Sequence, residues 1–222
     1  MSGIVIFGAG GRAGRAITAE ARNRGHQVTA VVRDPGRYAD LESGGVRVVR
    51  GDVTDVRAVA EITAGQDAAV NAVSPFSGPE QGFDDLDPDF FVKAADALLR
   101  GLAETGASRL LAIGLFANLR SSQGGLVMDD PTAFPAEIRP FAAAHTAGLD
   151  RLREADTTVD WLMLTPPAQL EVVGARTGRY RIGGETVPPS GSRLSYADLA
   201  VAVIDEIETP RHHRTRVSVF DR

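Results

Sequence analysis

The chain contains no cysteine. That removes disulfides, thiol nucleophiles, thiolate metal sites and cysteine-held clusters together, and it fits a reducing compartment. Lysine is almost missing as well: Lys93 is the single one among 24 basic side chains. A tyrosine with a lysine four residues later is therefore excluded, since the residues four beyond Tyr38, Tyr180 and Tyr196 are Glu42, Gly184 and Ala200. A basic excess is lacking, and a net charge of -5 argues against general nucleic-acid or anionic-membrane binding. No apolar run reaches membrane-spanning length. Met1-Ser2-Gly3 passes straight into Ile4-Val5-Ile6-Phe7 without the basic stretch and cleavage site of a signal peptide, so a cytoplasmic location with no membrane partner is expected.

What is present is enough apolar material, 43% of 222 residues, for a full core without staples. No polar low-complexity stretch divides the chain, and residues 1–222 read as one domain. Short apolar runs at Ile4 to Phe7, Val28 to Val32, Val46 to Val49, Ala68 to Ala72, Leu110 to Ile113 and Trp161 to Leu164 read as buried strands. Amphipathic stretches separate them. The clearest is Asp89 to Glu104, with Phe90, Ala94, Leu98 and Leu102 on one stripe and Phe91, Ala95 and Leu99 beside it. Asp87 as cap and Pro88 at the first helical position predict its start. This alternation predicts an α/β fold, a doubly wound parallel sheet with helices on both faces and a ligand crevice at the carboxyl ends of the strands.

The rhythm breaks from Pro166 to Arg193. Tyr180 to Val187 reads as a hairpin turning on Gly183-Gly184, and residues 166–193 read as a small C-terminal substrate-side cap or, more blandly, a long connection. A helix from Tyr196 to Ile207 and a strand from Arg216 to Phe220 close the chain.

The informative motif is Gly8-Ala9-Gly10-Gly11-Arg12-Ala13-Gly14-Arg15, which directly follows the first strand and opens a helix. Glycines at 8, 11 and 14 let the backbone approach a pyrophosphate, whose charge is met by free amides and the positive helix end. The residue ending the second strand faces the adenine ribose, and here it is Arg33. A guanidinium there favours a 2′-phosphate, so NADPH is expected ahead of NADH, with Arg37 and Arg12 joining. Asp34 takes the opposite, NADH-favouring role if the strand ends one residue later. The plain alternative for Arg33 and Arg37 is a pair of surface arginines.

Other clusters carry less. Asp84, Asp85, Asp87 and Asp89 lack the glycine-punctuated spacing of a calcium loop. His212-His213 lacks a third ligand and reads as exposed, so no metal is expected. Ser74 and Ser195 lack a nucleophile-elbow context.

Taken in order, GAGGRAGR, VVRDPGRYADL, GDVTDVRAVAEITAGQDAAVNAVSP, RLLAIG, TGRYRIGG and RLSYADLAVAVIDEIE resemble the NADH-flavin reductase-like atypical short-chain dehydrogenases, a group close to biliverdin reductase B and NmrA-like proteins. The likeness covers essentially the whole chain and implies a Rossmann-type domain. It implies cofactor contacts at Gly8, Gly11, Arg12, Ala13 and Gly14, at Arg33 and Arg37, at Asp52 and Val53 beside the adenine, and at Val73, Ser74 and Pro75 beside the nicotinamide. Pro166 and Pro167 match the wall of the nicotinamide. Two departures stand out: the turn Gly114-Leu115-Phe116-Ala117-Asn118 replaces a glycine- or hydroxyl-rich one, and His145 falls close to the usual family lysine. His145 is thus the catalytic candidate, contacting the nicotinamide ribose or relaying a proton, against the reading of an ordinary helix histidine. The expected activity is hydride transfer from NADPH to a flavin, as substrate and not prosthetic group, or to a related planar small-molecule acceptor stacked between Phe76, Phe116 and the Pro166 to Leu170 segment. The alternatives are an NmrA-like cofactor sensor without turnover and a pathway-specific reductase of an aromatic metabolite. The chain is expected to act as a monomer or homodimer.

Overall fold

In the computed structural model, residues 1–75 and 86–221 are described. Along the chain run β1 (Gly3–Phe7), α1 (Arg12–Asn23), β2 (Gln27–Val32), a 3-10 segment (Pro35–Leu41), β3 (Val46–Arg50), α2 (Val56–Thr63), β4 (Ala68–Asn71) and α3 (Phe90–Thr105). There follow β5 (Arg109–Ile113), short 3-10 turns including Phe116–Asn118, α4 (Arg139–Glu154), β6 (Asp160–Thr165), β7 (Gln169–Glu171), β8 (Arg181–Ile182), β9 (Arg193–Ser195), α5 (Tyr196–Glu208) and β10 (Thr215–Phe220).

Eight strands form one sheet in the order β3-β2-β1-β4-β5-β6-β10-β8, parallel throughout except for β8. The central strands are apolar on both faces because helices cover both. Ile4 and Ile6 point into a core shared with Ile17, Leu199 and Val203 of α1 and α5. Their neighbours Val5 and Phe7 point the other way, to Val59, Leu98, Leu102 and Leu149 of α2, α3 and α4. Burial of Gly14, Ile17, Thr18 and Ala21 along one side of α1 fits the 3.6-residue period that sets it against the sheet. Asp55 caps α2 by accepting from Arg57 N at 2.9 Å, and Gly106, in the left-handed region at φ 75°, ends α3. Strand order reverses between β1 and β4, so the loops leaving their carboxyl ends diverge and open the crevice expected of a doubly wound sheet.

Three local expectations change. Helix α3 starts at Phe90, two residues later than Pro88 predicts: the chain first makes a turn in which the Phe90 amide donates to the Asp87 carbonyl at 3.1 Å, while the Asp87 carboxylate accepts from the Asp89 amide at 3.0 Å and from Lys93 at 2.7 Å. The hairpin over Tyr180 to Val187 does not form. Arg181–Ile182 instead pairs antiparallel with Val219 and Phe220 at the sheet edge, and Gly183 is glycine because a Cβ there would stand 2.4 Å from Ser218 Oγ. His213 is exposed as expected but His212 is half-buried, and their Nδ1 atoms lie 2.8 Å from Asp160 and 2.6 Å from Glu206, carboxylates that also hold the buried Arg109.

Besides the pairing of Arg181–Ile182 with β10, the 166–193 segment is fastened in two places. Gln169–Glu171 pairs with Arg193–Ser195 as a separate two-stranded sheet. Beyond it the chain runs over the α1 and α5 layer, where Arg176 meets Glu20 twice at 2.7 Å and Asp198 accepts from Thr177 N, Thr177 Oγ1 and Gly178 N. No described helix is long and apolar enough to cross a membrane.

Candidate functional site

The turn leaving β1 is wound so tightly that Gly8 and Gly14 are required by it. Gly8 sits at φ +80°, and a Cβ there would lie 2.7 Å from the Ala72 carbonyl beyond β4. A Cβ on Gly14 would lie 2.1 Å from the Gly8 carbonyl, so the first turn of α1 rests directly on the loop. Gly11 is the N-cap and offers no side chain, and no acidic residue stands in the first turn. Among the described residues the amides of Gly10, Arg12 and Ala13 find no backbone acceptor. Uncapped amides at the positive end of a helix make a cradle for an anion, and the close approach allowed by glycine fits a dinucleotide diphosphate.

Charge is arranged to match. β2 ends at Val32, so Arg33 is the first residue past the strand and Asp34 is displaced to the start of the 3-10 segment. Arg12, Arg33 and Arg37 are all exposed, and among the described residues none of the three enters an ion pair. Asp52 binds its own loop, accepting from Thr54 N at 2.9 Å and Thr54 Oγ1 at 2.8 Å, while Val53 is buried beneath it. At the end of β4, the Val73 amide donates to Asn71 Oδ1 at 3.2 Å, and Ser74 and Pro75 continue into the crevice.

On the acceptor side, Pro166 and Pro167 are buried just past β6 and Phe116 is half-buried past β5. Leu170 is half-buried in β7, and its side chain contributes to the α1 and α5 core. Phe76, like Asp84 and Asp85, lies outside the described residues. Gly114 keeps the turn after β5 close to β6: a Cβ there would meet Thr165 Oγ1 at 2.1 Å.

His145 is buried in α4, its ring 4.5 Å from that of Phe91. Its Nδ1 accepts from Asn118 Nδ2 at 3.1 Å, and a backbone hydrogen bond at Ile113 engages the ring as well. Burial pushes its pKa down to about 4; the Ile113 bond opposes this and the charge of Arg216 adds to it. Arg216, itself buried, donates to the Asn118 carbonyl. Near pH 7 this imidazole is neutral. Asn118 was not visible as a site residue in the sequence; its place as the fifth residue of the turn after β5 was its one signal. Phe141, four residues before His145, packs on Phe91 with ring centroids 5.7 Å apart. Lys93 is exposed on α3 and held by Asp87. Ser195 caps α5, accepting from the Asp198 amide and donating to the Ala175 carbonyl, both at 3.0 Å. Among the described residues no group of three or more His, Asp or Glu side chains is placed to hold a metal ion.

A glycine-cradled helix end at the switch point of a 3-2-1-4-5-6 sheet defines a Rossmann-type dinucleotide-binding protein. The chain belongs to the NAD(P)H-binding family, whose model matches residues 8–210. It is 35% identical over 221 residues, 97% of each chain, to the uncharacterized protein YwnB of Bacillus subtilis. A proposed epimerase from Bacteroides thetaiotaomicron superposes with a TM-score of 0.84 at 32% identity, covering 99% of this chain and 97% of the other. A proposed NADH-flavin reductase from Streptococcus pneumoniae superposes with a TM-score of 0.82 at 28% identity over 100% of both chains.

Proposed function

We propose that this protein is an NADPH-dependent oxidoreductase that delivers hydride to a planar conjugated small molecule, with a flavin as substrate the first acceptor to test. One observation carries the reading: three exposed arginines without ion pairs among the described residues, Arg12, Arg33 and Arg37, flank an uncapped helix end at the switch point of the sheet. The diphosphate takes the amides of Gly10, Arg12 and Ala13, and the extra phosphate takes the guanidinium groups, each bond charge-assisted. Asp52 and Val53 border the adenine; Val73, Ser74, Pro75, Pro166 and Pro167 enclose the nicotinamide. The S. pneumoniae relative, a proposed NADH-flavin reductase, supports the acceptor class.

When bound, the reduced nicotinamide supplies two electrons as hydride. The acceptor gains that hydride and a proton, and the proton comes from solvent. Phe116 and the Pro166 to Leu170 wall position the acceptor and exclude water from its face; Phe76 joins them in this reading. His145 contributes shape and a fixed hydrogen bond, because its depressed pKa leaves it no proton to give near pH 7.

An NADP(H) sensor would share this binding site. The neutral Phe141 and His145 on α4, where neither a hydroxyl nor an amine is offered, suit that second reading. Loss of reduced-nicotinamide absorbance with added FMN, riboflavin or a quinone separates the two. Turnover that depends on the acceptor is expected; tight NADPH binding with no turnover of any acceptor would leave the sensor.

A further inference from the structure

The glycine turn contains one glycine more than its spacing needs. Gly8, Gly11 and Gly14 make the motif's spacing; Gly10, whose amide faces the diphosphate in this reading, lies outside that spacing and is not among the residues with positive φ. Its neighbour explains it. A Cβ on Gly10 would stand 2.5 Å from Tyr38 Cε1 and 2.6 Å from Cζ, so the tyrosine ring packs directly against the main chain where a side chain would stand. Tyr38 reaches it because the 3-10 segment Pro35–Leu41 breaks there, at φ -131° and ψ 26°.

Arg15 closes the arrangement. Its guanidinium lies 5.7 Å from the centre of the Tyr38 ring, its Nε donates to the Gly10 carbonyl at 3.1 Å, and its Nη1 donates to Asp40 Oδ2 at 2.5 Å. Asp40 and Tyr38 belong to the same 3-10 segment, and no residue of that segment is fully buried. The segment also leans on the edge strand β3 and packs Tyr38 and Leu41 partly on the core. This segment carries Arg37, and Gly10 lies two residues before Arg12.

We propose that Tyr38, held on Gly10 by Arg15 and Asp40, is the positioning residue for the 2′-phosphate pocket and sets selectivity for a phosphorylated adenine ribose over a free one. The inference rests on the NADPH reading above. The diphosphate contacts come from the main-chain amides of Gly10, Arg12 and Ala13 and serve both cofactors alike; only the phosphate on the ribose needs Arg37 brought to the glycine turn. Releasing the segment therefore costs one cofactor more than the other.

The test is calorimetric titration of NADPH and NADH into wild type, Tyr38→Ala, Tyr38→Phe and Asp40→Asn, with Arg33→Asp alongside. Tyr38→Ala should weaken NADPH about tenfold and NADH less than about twofold. Tyr38→Phe, which keeps the ring, should restore the wild-type ratio. Asp40→Asn, at a side chain 59% exposed and so harmless to the core, should give an intermediate loss. Equal weakening of both dinucleotides, or no change in their ratio, overturns the latch. A wild type without preference for NADPH removes both the cofactor reading and the latch. A wild type whose preference is lost in Arg33→Asp but kept in Tyr38→Ala removes the latch alone.

Discussion

The imidazole of His145 accepts a hydrogen bond from the side-chain amide of Asn118, 3.1 Å away, inside a buried pocket walled by Phe91. The partnership and its buried surroundings hold the ring in its neutral form. Protonation must break this bond and bury a charge near the cationic Arg216.

The consequence is a pH-dependent stability of definite sign. His145 has a folded pKa near 4 against 6.5 for the free side chain, so the unfolded chain binds the proton more readily. Stability is complete above 6.5 and falls as pH drops toward 4. Urea unfolding at pH 7.5 and 5.5 should differ by about 1 kcal/mol through this residue, and the difference should shrink in His145→Gln. Acceptor reduction, if measured in parallel, should show no rate limb from His145 between pH 6 and 8. A wild-type limb there that vanishes in His145→Gln would restore the histidine as a proton relay.

Gly14→Ala tests the cradle. The added methyl group would sit 2.1 Å from the Gly8 carbonyl, and backbone, not a flexible side chain, must yield. Overpacking of this kind costs about 1–3 kcal/mol. The loop shift should also raise the dissociation constant of either dinucleotide more than about tenfold in a fluorescence titration. Unchanged binding in a folded variant would place the diphosphate elsewhere.

Arg33→Asp reverses a charge at an exposed position just past β2, where no described partner is lost. Repulsion of a 2′-phosphate and a new acceptor for a free 2′-hydroxyl act in the same direction. NADPH binding should fall by about 100-fold while NADH holds or improves. Equal losses for the two would mean that Arg33 faces solvent and not the ribose.

The glycine turn and the end of β2 just before Arg33 were legible in the sequence because both are local: a strand, a turn and a helix start follow one another within a dozen residues. The six strands were legible for the same reason, each being a short apolar run bounded by polar residues, although the run at Val46 to Val49, expected to be buried, forms the half-exposed edge strand β3. What escaped depends on distant pairing. Gly183-Gly184 has the composition of a hairpin turn, but the partner of Arg181–Ile182 is β10, more than thirty residues on, and only Ser218 explains why position 183 must be glycine. Asn118 and His145 lie 27 residues apart with nothing in either neighbourhood to pair them. Gly10 was visible as a surplus glycine, yet its reason, the ring of Tyr38, needed the fold.

Glu20 provides the sharpest test of how the 172–180 stretch is held. Its side chain is only 4% exposed on α1, and both oxygens are taken, by Arg24 at 2.7 Å and by Arg176 through two contacts at 2.7 Å. These guanidinium groups, with Arg176 the larger influence, hold its carboxyl below the usual range against the opposing effect of burial. Its contribution is present above the unfolded value of 4.5 and fades as pH falls below it, a window separate from that of His145. Glu20→Gln keeps the shape but removes the charge, and Arg24 retains Asp205 and Glu208 as partners. The loss should therefore be smaller than for a fully stranded buried ion, about 2 kcal/mol in urea unfolding at pH 7. Proteolysis should sharpen the picture, with faster cleavage near Val172 and Val173, whose side chains are already exposed, while the dinucleotide affinity stays put. Slower or unchanged cleavage at that stretch in a destabilised variant would show that Asp198, through Thr177 and Gly178, holds it without help from α1.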